Sequence, residues 1–281
     1  MKNNKTVSKQ YLTPVELHSE LLSILRAFAS FCDSHNLRYT LVGGSMLGAV
    51  RHQGFIPWDD DIDVGMPRPD YEKLRTLEAE FYEETGYKLS GYRSLKLKDS
   101  PMIKIENEQI NCLEMGTVPV KLWIDLVPVD GLPANDRLNW VVCQSAFVVR
   151  RVLSIMLTPR NERSGSFGGF IKDKIVGPTI SAVPGIAVAT SKLLTTIARR
   201  IPFGSSAHAG IVAFGIYRDA ERISLNGWTE TVEVDFEGEK YRGISCWDEY
   251  LSQLYGDYMK LPPEEKRETH GLSAWRVEEE Q

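Results

Sequence analysis

A stretch in the first quarter of the chain constrains the fold more than any other part of the sequence. Leu41 to Met66 reads LVGGSMLGAVRHQGFIPWDDDIDVGM. Its residues favour, in order, the end of a strand, a Gly-Gly-Ser turn, a helix and an Asp-x-Asp strand. These four features arise together by chance far less often than any one of them alone. The stretch therefore predicts a functional site on an α/β framework.

The second half of the stretch crowds carboxylates together: Asp59, Asp60, Asp61 and Asp63. Such residues are often solvated surface, but they repel one another unless cations offset their charge. Because alternate side chains of a strand face the same way, Asp61 and Asp63 are predicted to share one side, while Ile62 and Val64 enter the core. This pair suits Mg²⁺ or Mn²⁺, which favour oxygen ligands. An EF-hand calcium loop is excluded because its sixth position, counted from Asp59, is Val64 and not glycine.

The first half of the stretch is suited to binding an anion. Tyr39–Val42 is predicted to form a strand. After it, Gly43 and Gly44 would let backbone N–H groups approach a ligand without a Cβ in the way. Residues 46–52 are predicted to form the next helix, whose N-terminus, together with the Ser45 hydroxyl, would favour a phosphate. A glycine turn alone is usually only a turn, so this prediction depends on the aspartates that follow.

A further carboxylate interrupts an apolar strand pattern later in the chain. Lys121–Gly131 reads KLWIDLVPVDG, and Asp125 would be costly to bury there without a cation or a hydrogen-bond donor. If this strand lies beside the strand of Asp61 and Asp63, Asp125 completes a site of three carboxylates. Asp130-Gly131 at the end of the pattern is predicted to be a turn.

Other residues are candidates for contacts to a nucleotide or a phosphate: Arg51, His52, Trp58 and Lys104. Arg51 and His52 bring positive or switchable charge to the predicted helix. Trp58 suits stacking on a base and packing against a pocket wall equally well. Lys104 lies in a predicted strand, where it is compatible with a phosphate contact or with a solvated position.

Composition and charge exclude several classes of protein. The net charge of −5 argues against a nucleic-acid-binding protein, which requires a basic domain or stripe. The four cysteines are scattered without zinc-like spacing, which is typical of reduced thiols in the cytoplasm. The N-terminus lacks the apolar region of a signal peptide, and no run approaches the ~18 apolar residues of a membrane span. We therefore expect a cytoplasmic protein.

The remaining patterns predict an α/β (α+β) fold with additional helical elements towards the C-terminus. A capping box at Thr13 and Glu16 predicts the first helix, and TVEVDFEGEKYRGI near the C-terminus predicts a hairpin. The apolar stretch Ile171–Pro202 is broken by prolines and predicts short helices that form a second helical layer. The predicted organisation is a disordered N-terminus (1–12), a catalytic core (13–134), a mainly helical insertion or second layer (135–230), and a hairpin and helix that complete the domain (231–281).

Three neighbouring segments form one larger pattern: Gly43-Gly44-Ser45, LGAVRHQGFIPWDDDIDV at 47–64, and Arg68-Pro69-Asp70-Tyr71. Together they resemble the signature of the LicD family, which belongs to the nucleotidyltransferase-fold superfamily and includes bacterial phosphocholine transferases. WIDLVPVDGLP at 123–133 and the C-terminal motif around YGDYM at 255–259 resemble further motifs of that family. The resemblance spans most of the chain except 135–230, and it implies a nucleotidyltransferase-like mixed sheet flanked by helices.

The resemblance also implies an activity. The family transfers phosphocholine, or a related phospho-substituted alcohol, from a CDP-linked donor such as CDP-choline to a glycan precursor of teichoic acid or lipopolysaccharide. Asp61 and Asp63 would hold Mg²⁺ on the donor diphosphate, and Asp125 would either share the metal or accept the proton of the acceptor hydroxyl. Gly44 and Ser45 would cradle phosphate, with Arg51 as a clamp.

Three alternatives remain open at this point. The chain is compatible with a nucleotidyltransferase, with a sugar-phosphate transferase that releases another leaving group, and with a non-catalytic metal-binding protein whose site is degenerate. Because acceptors of this family are often lipid-linked, the resemblance also implies a peripheral contact with the inner face of the membrane, for which Ile171–Pro202 is the candidate, with a place in the buried core as the alternative.

Overall fold

The computed structural model describes residues 7–114, 118–157, 185–267, 269 and 271–279. Within these residues, one mixed sheet of nine strands and a separate hairpin form the framework. The strands of the main sheet are β1 (Val7–Tyr11), β2 (Thr40–Leu41), β3 (Asp63–Pro67), β4 (Lys88–Gly91), β5 (Ile103–Glu114), β6 (Val118–Leu132), β7 (His208–Ile211), β8 (Ile223–Ser224) and β11 (Ser273–Glu279). The hairpin consists of β9 (Thr231–Phe236) and β10 (Glu239–Ile244).

The described helices flank this sheet, which confirms the predicted mixed α/β (α+β) class. They are α1 (Pro14–Ser34), α2 (Gly43–His52), α3 (Arg68–Thr76), α4 (Glu78–Thr85), α5 (Asp136–Leu157), α6 (Ile186–Ala198), α7 (Leu225–Thr229) and α8 (Trp247–Tyr255). Helix α1 begins with the predicted capping box: the Thr13 hydroxyl accepts a hydrogen bond from Glu16 N, and the Glu16 carboxylate accepts one from Thr13 N.

Strand β6 is the axis of the sheet. The strand order is β1-β11-β5-β6-β3-β2, with β4 paired to β5, β7 to β6 and β8 to β7. β6 pairs parallel with β3 and antiparallel with β5 and β7. Because β6 has neighbours on both edges and helices over it, its apolar residues are buried: Leu122, Trp123, Ile124, Leu126, Val127 and Val129. A polar side chain on β6 therefore needs a hydrogen-bond or ionic partner wherever it is buried.

Two segment predictions require correction. Residues 7–11, predicted to be disordered, form β1 because they pair antiparallel with β11, a strand that local patterns did not reveal. The segment 135–230 is helical in α5 and α6, but β7 and β8 join the main sheet, so its last part is not a separate helical layer. Residues 158–184 lie outside the described residues.

Helix α5 is long and apolar enough to cross a membrane by length and composition alone, a test that the core helix of a soluble protein also passes. The apolar pattern of the sequence predicted no helix of this kind. Its inner side is buried and packs against α6, whereas its outer side exposes Leu138, Trp140, Val141 and Val148. The contact with a membrane stays a prediction, and part of the stretch proposed for it, Ile171–Pro202, lies outside the described residues.

Asp130 and Gly131 do not form the predicted turn, because β6 continues through them to Leu132. Tertiary contacts decide their conformation. The Arg68 guanidinium donates to both Asp130 oxygens, with Nε–Oδ1 at 2.7 Å and Nη2–Oδ2 at 2.6 Å, and both side chains are buried. Gly131 packs so closely that a Cβ would lie 2.5 Å from the Pro202 carbonyl oxygen. The ion pair thus joins the start of α3 to the end of β6.

We expect Asp130→Ala to lower the free energy of unfolding by about 3–5 kcal/mol, because it leaves the buried Arg68 charge without its partner. Urea unfolding measures this difference. The exposed Asp235–Lys240 pair provides the control, and Asp235→Ala should change stability by less than ~1 kcal/mol. The double variant Arg68→Met with Asp130→Leu should recover much of the loss. Equal effects of the two alanine variants would contradict the assignment.

Candidate active site

The parallel pairing of β3 and β6 brings the three predicted carboxylates together. Asp63 lies opposite Asp125 in the strand register, and Asp61 lies two residues before Asp63, just outside β3. The backbone N–H of Asp125 donates to the carbonyl of Ile62 at 2.9 Å, which extends the pairing towards Asp61. One carboxylate oxygen from each aspartate lies within 4.8 Å of the other two. The predicted convergence of these residues is therefore confirmed, while their chemical roles stay predictions.

Helix α2 supports this cluster from its N-terminus. It begins at Gly43, three residues before the predicted start, so the glycines and Ser45 form its first turn. The Ser45 hydroxyl accepts a hydrogen bond from Asp63 N at 2.8 Å and thereby ties α2 to β3. A Cβ on Gly43, whose φ is +53°, would lie 3.1 Å from Asp63 Oδ2, and one on Gly44 would lie 2.9 Å from Asp59 Oδ2. The glycines thus admit carboxylates to the positive end of the helix dipole.

The electrostatics of the cluster favour a bound cation. Burial raises the pKa of Asp61 well above its usual range, and the charges of Asp63, Asp59 and Asp125 raise it further. The same carboxylates would be stabilised as anions by a cation among them. Two oxygens bound to one Mg²⁺ lie at most ~4.2 Å apart, since each bond is about 2.1 Å long. The observed separations need only small side-chain rotations to reach this geometry, so the donor set fits Mg²⁺ or Mn²⁺.

Lys104 lies beside the cluster, on the opposite strand. It pairs with Asp125 in the register of β5 and β6, and directly paired residues of antiparallel strands share one face. Its side chain is buried, and Nζ lies 3.4 Å from the centroid of the Trp123 ring. The alternative of a solvated strand lysine is therefore wrong. A contact between Lys104 and phosphate stays a prediction.

Arg51 and His52 lie at the other end of α2, about 12 Å along the helix axis from Gly43. The Arg51 guanidinium donates to the Tyr258 carbonyl at 2.7 Å and to His52 Nε2 at 2.9 Å. Burial, and then the Arg51 charge, lower the pKa of His52. The structure does not bring Arg51 to the carboxylates, so it does not support the predicted clamp on the phosphates.

Trp58 belongs to the same distal group. Its ring contacts His52 edge-on at a centroid distance of 6.5 Å, and the Arg267 guanidinium lies 4.7 Å from its centroid. The side chain is half-buried against the main core. Trp58 therefore packs against its neighbours and also keeps part of its surface open to a ligand.

Sequence reasoning missed a buried network behind α2. The Tyr250 hydroxyl accepts a hydrogen bond from Gly43 N at 3.2 Å and donates one to Glu221 Oε2 at 3.4 Å. Burial raises the pKa of Tyr250 and raises that of Glu221 to about 7. Tyr250 lies in the C-terminal part of the chain, close to the motif that resembles the family, but the resemblance assigned no role to this residue. Glu221 had no sequence signal, because a single glutamate in a loop resembles a solvated residue.

His18, on helix α1, also supports the site. Its Nε2 lies 2.8 Å from the Asp59 carbonyl oxygen, and its ring stacks on Phe55 at a centroid distance of 3.9 Å. These contacts hold the segment that leads from α2 to the aspartates.

Comparisons with known proteins agree with this geometry. Residues 36–131 match the family model described as LicD/FKTN/FKRP, nucleotidyltransferase domain. The chain is 26% identical over 267 residues to the lipopolysaccharide cholinephosphotransferase LicD of Haemophilus influenzae, covering 93% of this chain and 97% of that protein. It is 38% identical over 89 residues to the human ribitol 5-phosphate transferase FKRP, covering 27% of this chain and 18% of that one. The matched domain contains Asp61, Asp63 and Asp125.

We expect Glu221→Gln to change how stability depends on pH. The pKa of Glu221 is raised from 4.5 to about 7 in the fold, so wild-type stability falls as pH rises between these values, because the unfolded chain ionises first. Glutamine cannot ionise. The variant should therefore match wild type near pH 4.5 and exceed it at pH 8 by on the order of 3 kcal/mol.

Urea unfolding at several pH values measures this difference, and the exposed Glu233→Gln controls for the substitution itself. A pH-independent difference between wild type and Glu221→Gln would show that the carboxyl is not held protonated in the fold.

Proposed function

We propose that the chain, whose residues 36–131 match the LicD family model, transfers phosphocholine, or a related phospho-substituted alcohol, from a CDP-linked donor to a hydroxyl of a glycan precursor. The observation that carries this proposal is the convergence of three carboxylates on adjacent parallel strands, next to a helix N-terminus. Such an arrangement suits phosphoryl transfer, which depends on positioning and on stabilising charge. The similarity to the lipopolysaccharide cholinephosphotransferase over nearly its whole length supports phosphocholine and an acceptor of the lipopolysaccharide kind, and a teichoic acid precursor is the other acceptor that we propose.

The donor would bind between the carboxylates and α2. Asp61 and Asp63 would hold Mg²⁺ or Mn²⁺ on its diphosphate, and the bound cation would neutralise charge that develops on the leaving group. The first turn of α2 adds backbone N–H groups, and the Ser45 hydroxyl, which accepts from Asp63 N, keeps its own proton to donate to a phosphate oxygen. The donor diphosphate therefore meets positive charge from two directions.

Asp125 would complete the chemistry. The acceptor hydroxyl oxygen forms a bond to the phosphorus that carries choline, the bond from that phosphorus to the CMP oxygen breaks, and CMP leaves. The hydroxyl proton goes to Asp125 if this carboxylate acts as the base, or to solvent if Asp125 serves as a third metal ligand. Its position opposite both Asp63 and Lys104 in the strand register is compatible with either role.

The cytidine would extend along α2 towards Trp58. The distance of about 12 Å from Gly43 to the Arg51 end of the helix is comparable to the length of a nucleotide. At that end, the Trp58 indole ring is flanked by two planar groups, the His52 imidazole and the Arg267 guanidinium. This path gives Trp58 a role in binding the donor base, which is one of the two roles that the sequence left open, and makes Arg51 a structural residue of the same pocket.

A second candidate donor carries ribitol 5-phosphate. The human relative that matches part of the chain is named a ribitol 5-phosphate transferase. The same carboxylates and the same leaving group would serve a CDP-linked polyol.

The cytoplasmic location of the protein remains part of the proposal.

We expect the protein to release CMP from CDP-choline, or from CDP-ribitol, in the presence of Mg²⁺ and an acceptor glycan. Asp61→Ala and Asp63→Ala should each reduce this rate by more than ~100-fold, since changes to outer-shell partners of metal sites already cost about 10–100-fold. Asp235→Ala, on the exposed hairpin, should leave the rate unchanged. The assay follows CMP and the labelled phospho-alcohol on the acceptor.

Each of the three alternatives gives a different result. Failure to turn over any CDP-linked donor, with a biological output that the Asp61 and Asp63 variants still reduce, would indicate a sugar-phosphate transferase. Release of pyrophosphate with the nucleotide attached to the product would indicate a nucleotidyltransferase. Failure to turn over any CDP-linked donor, with unchanged biological output from the Asp61 and Asp63 variants, would indicate a non-catalytic metal-binding protein.

A further inference from the structure

A cavity of about 520 Å³ lies over the β5–β6 hairpin. This volume is within the usual range of small-molecule sites, about 300–1,000 Å³. Part of its wall is apolar, and its polar lining is Arg93, Lys104, Glu106, Asn111, Glu114 and Lys121. None of these residues is among the three carboxylates, so the cavity is separate from the metal-binding cluster.

The cavity shares one face of the sheet with Asp125. Lys104, which lines the cavity, pairs directly with Asp125 across β5 and β6. Along β6, Lys121 and Asp125 are four residues apart and thus face the same way, with a separation of about 13 Å. Asp63 lies on the opposite edge of β6. Asp125 therefore stands between the side that would hold the donor and the side that holds the cavity.

Charge in the cavity favours an anionic ligand that also carries hydroxyl groups. Three cationic side chains line it against two carboxylates. The Lys121 ammonium donates to the Glu108 carbonyl at 2.7 Å and to Asn111 Oδ1 at 3.0 Å. An ammonium group has three N–H donors, so one is left to bind a ligand. Glu106, Glu114 and Asn111 offer acceptors for sugar hydroxyls. The combination suits a saccharide with a phosphate group.

The same lining disfavours the choline head group. A quaternary ammonium binds to the faces of aromatic rings. None of the described residues that line the cavity is aromatic, and the lining residue Lys104 places its Nζ 3.4 Å from the centroid of the neighbouring Trp123 ring. The Lys104 and Lys121 charges would also repel a cation. The donor head group therefore has no evident place in this cavity.

We propose that the cavity binds the acceptor, as a phosphate-bearing saccharide whose reacting hydroxyl points towards Asp125. This inference rests on the proposed function for the reaction, but the binding of the saccharide itself does not. Lys121 and Lys104 bind the phosphate, and the acidic and amide groups bind hydroxyls. Donor and acceptor then approach Asp125 from opposite edges of β6.

The kinetic test compares Lys121→Met with Lys240→Met, a control on the exposed hairpin. Lys121→Met should raise the acceptor KM by about 10–100-fold, as for loss of one charged hydrogen bond. The donor KM should not change, and Lys240→Met should change neither KM. Removing the phosphate from the acceptor should raise the wild-type KM similarly, with little further effect in the variant. A raised donor KM, or no change in either KM, would overturn the assignment.

A binding test separates this proposal from the proposed function. Saturation-transfer NMR with metal-free protein should detect glucose 6-phosphate, or another hexose 6-phosphate, more strongly than the unphosphorylated sugar. Lys121→Met should abolish that preference, and Lys104→Met gives a second test from the opposite strand. Equal signals for both kinds of sugar, or no signal for any hexose phosphate, would overturn the proposal even if CMP is released. Preference for the phosphate sugars without CMP release would instead contradict the proposed reaction.

Discussion

The mutual repulsion of three carboxylates is the constraint on which the rest of the site depends. Asp61, Asp63 and Asp125 are held within 4.8 Å by the parallel register of β3 and β6, although their negative charges disfavour this proximity. The fold compensates with the N-terminus of α2, whose glycines let Asp63 and Asp59 approach its backbone. A bound cation would remove the remaining repulsion. The arrangement therefore fits the metal and the diphosphate that we propose for it.

The register that creates this cluster is secured by contacts away from it. The buried Arg68–Asp130 pair joins the residue that follows β3 to the end of β6, so the two strands are tied just beyond their last paired residues. At the other end, the hydrogen bond from Asp125 N to the Ile62 carbonyl continues the pairing. The Tyr250–Glu221 network holds the first turn of α2 through Gly43 N. These buried polar contacts fix the positions of groups that would otherwise separate.

Local sequence rules predicted the parts that depend on neighbouring residues. The Asp-x-Asp pair, the capping box of α1 and the β9–β10 hairpin follow from spacing and turn chemistry, whereas the residues of the predicted glycine turn form the first turn of α2. Asp125 stood out because a charge in an apolar strand needs a partner. Resemblance to a known family added weight to its role. The sequence did not predict that β3 pairs with β6; it predicted only that Asp125 would complete the site if the two strands were neighbours. The structure confirms that they are.

The failures share a different cause, which is tertiary contact at long sequence separation. The Asp130-Gly131 pair predicted a turn, but Asp130 is held in β6 by Arg68, which lies sixty-two positions earlier in the chain. β1 is ordered by β11 at the other end of the sequence. The Tyr258 carbonyl to which Arg51 donates lies 207 positions later in the chain, and the role of Arg51 as a phosphate clamp stays a prediction. No local pattern contains this information.

Cation binding by the three aspartates is the most direct test of the central claim. Isothermal titration of Mg²⁺ into wild type and into Asp61→Asn, Asp63→Asn and Asp125→Asn gives the affinity of each protein, with Asp235→Asn as a control. We predict that each of the three variants loses affinity relative to wild type and that Asp235→Asn retains it. Unchanged Mg²⁺ affinity in Asp125→Asn would show that this carboxylate is not a metal ligand. Unchanged affinity in all three variants would contradict the account of the site.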